Sequence, residues 1–312
     1  MSLFSDVYYN NQLFNSKLEN FGLEEKDIVA PSDDFDLYIV RNNYEVFSQI
    51  KGTKICLAFP YNKKAFEEAD AVITTTQVWK DRLEVYAERP DSYDFFNGYY
   101  PRDMVTPKKV LNVGQVLGAD FEPKTGAFNT FRFKAQFGYG FTVAYFGRVD
   151  HEAKPHPDYF KILPELESKI PELNTVFAGN FKVEIPSKRI INAGKISYQD
   201  MPYATSACDV LLCNEQDEAN WQASGKTLEA IGCQIPIVLK PRPTRIEQLG
   251  EKYPLFYNTQ EELLNYILRL HSDISFRLEV KQYLSKRAGS LKIEVHSKQL
   301  ELLFSEFLSP LK

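Results

Sequence analysis

Between residues 36 and 114, short apolar runs recur: DLYIVRN, TKICLAFP, DAVITTT and KKVLNVG. Each is rich in β-branched or aromatic residues and closes on a polar boundary. The intervening stretches NYEVFSQI and QVWKDRLEVYAE space their apolar residues as a helix would. Strand and helix alternate, which predicts a parallel sheet. Ahead of these runs, VYYNNQLFNSKLENFG predicts a partly helical segment. Two longer segments, about 70 residues apart, follow the same grammar more strongly: FTVAYFGRVDHEAKPHP, residues 141 to 157, and DVLLCNEQDEANWQASGKTLEAIGCQIPIVLK, residues 209 to 240. Both predict a buried strand that runs into a loop and then a helix. Near the C-terminus, Glu261 to Leu270, Phe276 to Leu284 and VHSKQLELLFSEFL predict amphipathic helices whose apolar stripes pack on a core.

The two longer segments place charge where strand gives way to helix, the position at which parallel sheets hold phosphorylated ligands. In the first, Gly147 permits a sharp turn before Arg148, and Lys154 follows six residues later. Glycine leaves room for a ligand to approach the main chain, arginine offers a planar fork, and lysine offers a point charge to a diphosphate. In the second, Asp209 to Cys213 predicts a strand, and Ser224 predicts the N-cap of a helix that opens with Gly225 and carries Lys226 and Glu229. A capped helix start aims free amides at an anion. Glu229, a little over one turn on, is placed to accept hydrogen bonds from sugar hydroxyls. Taken singly, these residues also read as solvated charges and an ordinary cap.

Composition narrows the class. With 312 residues and 44% hydrophobic content, the chain has material for two cores. The formal net charge is −5 and there is no run of lysine or arginine, so no broad attraction to nucleic acid is implied. Cys56, Cys208, Cys213 and Cys233 have no paired spacing and sit in apolar segments, which predicts reduced core thiols and a cytoplasmic setting. Neither a signal peptide nor a membrane span is predicted. No metal site is predicted: His151 and His156 stand five apart without a third ligand, and Asp33, Asp34 and Asp36 read as a solvated turn.

The order of these motifs resembles the nucleotide-sugar half of GT-B fold glycosyltransferases, especially the large retaining family of bacterial lipopolysaccharide and capsule enzymes. Gly147, Arg148 and Lys154 match a strand ending in Gly-Arg with a Lys six residues later. PELESKIPELNTVFAGN, with Gly179 at its turn, and INAGKISYQDMPYATSACDVLL are similar to the helices and strands that come next. GKTLEAIGCQIPIV looks like the family's Lys-x-x-Glu helix block. The resemblance covers residues 141 to about 285 and implies an α/β GT-B fold of two Rossmann-like parallel-sheet domains facing a cleft. It divides the chain into an acceptor-side domain over 1–130, a nucleotide-sugar domain over 131–290, and a helix over 291–312 that crosses back. ADAVITTTQVWKDRL and VLNVGQVLGADFEP are similar to the end of the acceptor domain and the linker, but the N-terminal domain is abridged. Gly22 is its only glycine before Gly52, and no histidine precedes His151.

What the resemblance implies is transfer of a sugar, hexose-like, from a nucleoside diphosphate sugar to a glycan or lipid-linked acceptor, with retention and without metal or cofactor. Arg148 and Lys154 would neutralise the diphosphate. The main chain at Lys195, Ile196 and Ser197 would face the base, Ser224, Gly225 and Lys226 would serve the donor, and Glu229 would hold the ribose. The family carries two glutamates eight residues apart, but eight before Glu229 stands Trp221. Counting from Asp209, the first glutamate falls on Glu218, which reads equally as a catalytic carboxylate or, with Asp217, as a solvated loop. Gln234 stands where the family has glycine, and Pro155 where it has the glycine after the lysine. Phe59, Pro60, Tyr61 and Asn62 mark the acceptor-side strand end, either as sugar contacts or as packing. Three alternatives stand beside sugar transfer: a catalytically degenerate scaffold, a sugar-nucleotide epimerase, and an inverting enzyme of the DNA-glucosylating type. The abridged domain leaves room for a protein partner that completes the acceptor site, and for peripheral association with a membrane.

Overall fold

A computed structural model describes residues 37–40, 52–58, 61–89, 100–101, 103–118, 120–147, 157–179, 189–213 and 223–308. The chain divides into two compact units, Met1–Gln115 with His296–Lys312, and Val116–Val295.

Unit 1 is built on a four-stranded parallel sheet of β1 (Leu37–Val40), β2 (Thr53–Leu57), β3 (Ala71–Thr74) and β4 (Val110–Asn112), in the order β1-β2-β3-β4. All four apolar runs become strands. Helix α1 (Lys63–Glu68) follows β2, capped by Asn62, and α2 (Gln77–Glu88) follows β3, capped by Thr76. Helix α2 spans the predicted stretch, whereas α1 was not expected, because six residues carry too little periodicity to read. Helix α10 (Ile293–Leu308) contributes Phe304 and Phe307 to the core formed by Ile55, Ala71, Ile73 and Leu111. The segments NYEVFSQI and VYYNNQLFNSKLENFG, together with Phe59 and Pro60, lie outside the described residues.

Unit 2 opens with α3 (Phe128–Phe137) and carries five parallel strands: β5 (Phe141–Phe146), β6 (Leu173–Ala178), β7 (Ile190–Asn192), β8 (Val210–Leu212) and β9 (Ile237–Val238). Their order is β7-β6-β5-β8-β9. The chain winds outward from β5 through β6 to β7, returns to the other side of β5 for β8, and then continues to β9. Right-handed crossovers therefore put α4 (Pro157–Lys169) on one face and α5 (Met201–Ser206) and α6 (Gly225–Cys233) on the other. Helices α7 (Pro243–Leu249), α8 (Gln260–Ser272) and α9 (Ile274–Ser290) complete the two layers. All six residues of β5 are buried, which explains its continuous apolar run.

Helix α4 starts at Pro157, ahead of the expected stretch, and runs through Pro164. An interior proline costs roughly 3 kcal/mol of helix stability, but the buried face of Tyr159, Ile162, Leu163 and Leu166 holds the helix regardless. At the end of α6, Gln234 adopts a left-handed conformation (φ 56°, ψ 37°), the one non-glycine residue among the described residues with positive φ. All four cysteines are free and buried, and burial pushes the Cys56 and Cys233 thiols up to about 12.

Candidate functional site

The order of the second sheet reverses between β5 and β8. At such a reversal the connections from neighbouring strands leave to opposite sides and open a crevice beyond their carboxyl ends. Gly147 ends β5 there, and Cys213 ends β8. The segments carrying Arg148 and Lys154 (148–156) and Glu218 (214–222) depart from these two points, and both segments lie outside the described residues, as do His151 and His156.

Gly147 extends the sheet by donating its amide to Ala178 O at 2.9 Å. One turn over, Gly179 donates to Gly194 O at 2.8 Å, so the ends of β5, β6 and β7 are tied in a row. Lys226, in the first turn of α6, reaches back across the end of β5. Its Cε and Nζ would lie 2.6 and 2.8 Å from a Cβ added at Gly147, and its ammonium stands 5.2 Å from the centre of the Tyr145 ring. The missing side chain of Gly147 is therefore what makes room for the Lys226 cation.

Ser224 caps α6 as expected, its Oγ accepting from Thr227 N at 3.4 Å. What holds Ser224 itself was not legible in the sequence. The buried side-chain amide of Gln248 on α7 grips both main-chain groups of Ser224: Oε1 accepts from Ser224 N (3.2 Å) and Nε2 donates to Ser224 O (3.0 Å). Arg245 donates to the same Oε1 at 3.2 Å, and Arg287 of α9 donates to the carbonyls of Gln248 and Glu247, both at 2.6 Å. The start of α6 is thereby fixed from two neighbouring helices, α7 and α9. Gly225, its first residue, is exposed, and as an N-terminal amide it has no acceptor within the helix.

Glu229 is half-buried, and its carboxylate makes no hydrogen bond or ion pair among the described residues. Burial raises its pKa, and the nearby Lys226 ammonium pulls it part of the way back. Close by stands Tyr198, whose phenol is pushed up by burial and then by the carboxylates of Glu229 and Asp120. Its ring meets Phe121 edge-on at 5.7 Å. Tyr198 directly follows Lys195, Ile196 and Ser197, so the β7 loop comes round to the Glu229 side of α6. Lys195 and Ser197 are exposed, and Ile196 packs partly on the core. Ser197 is engaged locally, donating to Asp200 Oδ2 at 3.0 Å and accepting from Asp200 N at 3.1 Å, and its carbonyl also accepts from Asp200 N at 3.2 Å.

Lys240, just past β9, pairs with Asp158 in the first turn of α4 at 2.9 Å, at the helix start into which the 148–156 segment feeds. A cation directly after a buried strand was a readable signal, the same one that singled out Arg148. Tyr198 and Gln248 carried none. Among the described residues, no group of three His, Cys, Asp or Glu side chains is placed to hold a metal, and no helix is long and apolar enough to cross a membrane.

At the corresponding strand end of unit 1, the described residues Tyr61 and Asn62 are engaged locally. Tyr61 Oη accepts from Val105 N at 3.0 Å and its ring packs edge-on against Phe66 and Tyr100, while Asn62 caps α1. For these two residues the structure shows packing.

The fold is GT-B: α/β, with two Rossmann-like parallel-sheet units. No protein-family model matches the sequence, and no curated protein does. Solved structures do. The Anabaena protein Alr3699/HepE, in complex with UDP and glucose, superposes with a TM-score of 0.61 at 14% identity over 87% of this chain and 78% of its own. Sucrose-phosphate synthase from Thermosynechococcus elongatus gives 0.56 at 14% identity over 95% and 77%. The pneumococcal O-GlcNAc transferase GtfA, in complex with UDP and GlcNAc, gives 0.56 at 15% over 88% and 57%.

Proposed function

We propose that the chain is a glycosyltransferase that moves a hexose from a nucleoside diphosphate sugar to a hydroxyl of a glycan or lipid-linked acceptor, with retention and without a metal. The observation that carries this reading is the half-buried Glu229 carboxylate, which the fold leaves unengaged by hydrogen bond or ion pair among the described residues near Lys226, whose ammonium lies over the Gly147 turn. A partly desolvated carboxylate with no partner destabilises the fold unless a ligand supplies one. Paired ribose hydroxyls are such donors.

On this reading Arg148 and Lys154 neutralise the diphosphate, and Lys226 with the Gly225 amide extends that cationic surface to the end of β5. The main chain at Lys195–Ser197 faces the base, and Glu218 positions the transferred sugar. Charge on the departing diphosphate grows in the transition state, so fixed cations and amides there lower the barrier without reorganising. The Gln248 clip supports this by holding the amides in place before substrate arrives. Structural neighbours solved with UDP, UDP-glucose or UDP and GlcNAc support a nucleotide-sugar donor. Because Tyr61 and Asn62 are occupied by packing, the acceptor side is proposed to be completed by other residues of the abridged unit or by a protein partner. The buried free thiols favour a reducing, cytoplasmic setting.

Thermal stabilisation by a panel of UDP-, GDP-, ADP- and CMP-sugars is the test. A ligand at 100 times its Kd adds about 2.7 kcal/mol of stability. One sugar nucleotide should stabilise the wild type and fail with Arg148→Ala and Glu229→Ala, and NMR of the product anomeric proton then reads retention or inversion. No stabilisation by any donor would sink the reading in favour of a scaffold.

A further inference from the structure

Among the described residues, Arg245 is the one lysine, arginine, aspartate or glutamate that is buried, at 9% exposure. A buried guanidinium is ordinarily held by a carboxylate, because an unpaired charge away from water is costly. Arg245 has no carboxylate partner among the described residues. Its hydrogen bond there runs from Nη1 to Gln248 Oε1 at 3.2 Å, which leaves most of a five-donor fork for another acceptor.

The surroundings make the missing anion more conspicuous. The Gln248 oxygen that receives Arg245 also accepts from Ser224 N at 3.2 Å, so the guanidinium is directed at the start of α6. That nine-residue helix has no acidic residue in its first turn and carries Lys226 as its second residue. Its first amides have no acceptor within the helix, and its dipole adds positive charge at the same end. Cations stabilise the opposite end of a helix. A buried guanidinium and an ammonium gathered at this end lower stability until an anion joins them.

We propose that Arg245 binds an oxyanion of the ligand together with the first turn of α6. Two parts of a donor offer that chemistry: the diphosphate, or a carboxylate on the transferred sugar. Either presents the paired oxygens that a guanidinium fork recognises. The identity of the ligand rests on the function proposed above, whereas the anion site itself can be probed without it.

Thermal-shift titration of the full chain with uridine, UDP, UDP-glucose, UDP-glucuronate and inorganic pyrophosphate separates these cases, with the same set on another base if the wild type prefers one. Arg245→Met keeps most of the side-chain length and removes the charge. Without ligand it should melt at or above the wild-type temperature, since an unpaired buried charge is gone. If the diphosphate is the partner, the variant's affinity for UDP and pyrophosphate should fall roughly tenfold or more relative to uridine. If the sugar carboxylate is the partner, the fall should appear for UDP-glucuronate relative to UDP-glucose, with UDP unchanged. Arg245→Lys, which keeps the charge without the fork, should recover part of the loss. A wild type that takes no nucleotide sugar, but that pyrophosphate stabilises and Arg245→Met does not reproduce, would sink the donor reading and leave the anion site standing. Three results overturn the site: a wild type that binds none of the anionic probes, an Arg245→Met variant whose affinity ratios match the wild type, or one that melts early with those ratios unchanged. The last would assign Arg245 to an ion pair with Glu215, Asp217 or Glu218 of the adjoining 214–222 segment.

Discussion

The carboxyl ends of the two sheets use similar residues to opposite ends. In unit 1, Asn62 caps α1, Thr76 caps α2, and Asn112 Oδ1 accepts from Gly114 N at 2.9 Å while its Nδ2 donates to Gln77 at 3.2 Å. These polar groups complete the local backbone. In unit 2, Ser224 caps α6 in the same way, but Glu229 carries no such bond among the described residues and Lys226 lies along the end of β5. The difference follows from topology. Unit 1, over its described strands, steps in one direction without reversal, so each loop crosses the end of its own neighbour and its polar side chains meet main chain. Unit 2 reverses between β5 and β8, which separates the loops and leaves functional groups facing a crevice rather than one another. A parallel sheet acquires a ligand site from its strand order before it acquires one from its residues.

The largest test of this contrast is Lys226→Ala. If Lys226 acts on the leaving diphosphate as proposed, its removal should lower kcat/KM for the proposed transfer by roughly 10²- to 10³-fold, read by release of nucleoside diphosphate once a stabilising donor is found. The matched change in unit 1, Asn62→Ala, should cost about 1 kcal/mol of stability through the lost cap and leave donor affinity unchanged in a thermal-shift titration. If Asn62→Ala abolished donor binding in a folded protein, the contrast between the units would break. Gln248→Ala sharpens it from within unit 2. Loss of a buried amide and its three hydrogen bonds should cost about 1–3 kcal/mol in urea unfolding, and donor affinity should weaken along with stability because the start of α6 is no longer held. Unaltered affinity would show that Ser224 holds the helix start without help.

Smaller effects concern charge and backbone. Glu229 has a raised pKa in the folded state, so its contribution to stability is fully present below the ordinary glutamate pKa and is lost as pH rises through the folded value. Glu229→Gln should therefore be more stable than wild type at neutral pH, with the gain shrinking as pH falls toward 4. The same variant should bind donor less well. A gain in stability that grew on acidification would contradict the burial argument. Smallest is Gln234→Gly, which relieves the left-handed backbone at the end of α6 and should stabilise unit 2 by about 0.5–1 kcal/mol in urea unfolding.

Strands and amphipathic helices were legible because burial imposes period: the four apolar runs of unit 1, all six residues of β5, and α2 from Gln77 to Glu88 fell where the pattern put them. Helices α1, α3 and α7 were not expected, since elements this short carry few turns of periodicity; α6, of nine residues, was read from its cap and charge order instead. The start of α4 was missed because proline is read as a breaker when packing is not visible. Gly147, Lys226 and Glu229, the residues proposed to face a ligand, were singled out from local order because glycine, cation and carboxylate each have a chemical reason to stand at a strand end.

What the sequence determined by itself was therefore the alternation of strand and helix and the division of material between two cores, both of which follow from short-range pattern and side-chain type. What only the tertiary structure decided was which neighbours those groups meet. It brings Lys226 over Gly147, Tyr198 beside Glu229 and Gln248 onto Ser224, and it leaves Phe128 and Phe131 in water while Phe133 and Phe137 are buried. These pairings join residues 24 to 79 positions apart, or depend on which side of one helix meets a core. Local propensity carries no information about either, because both are set by strand order and the direction of each crossover.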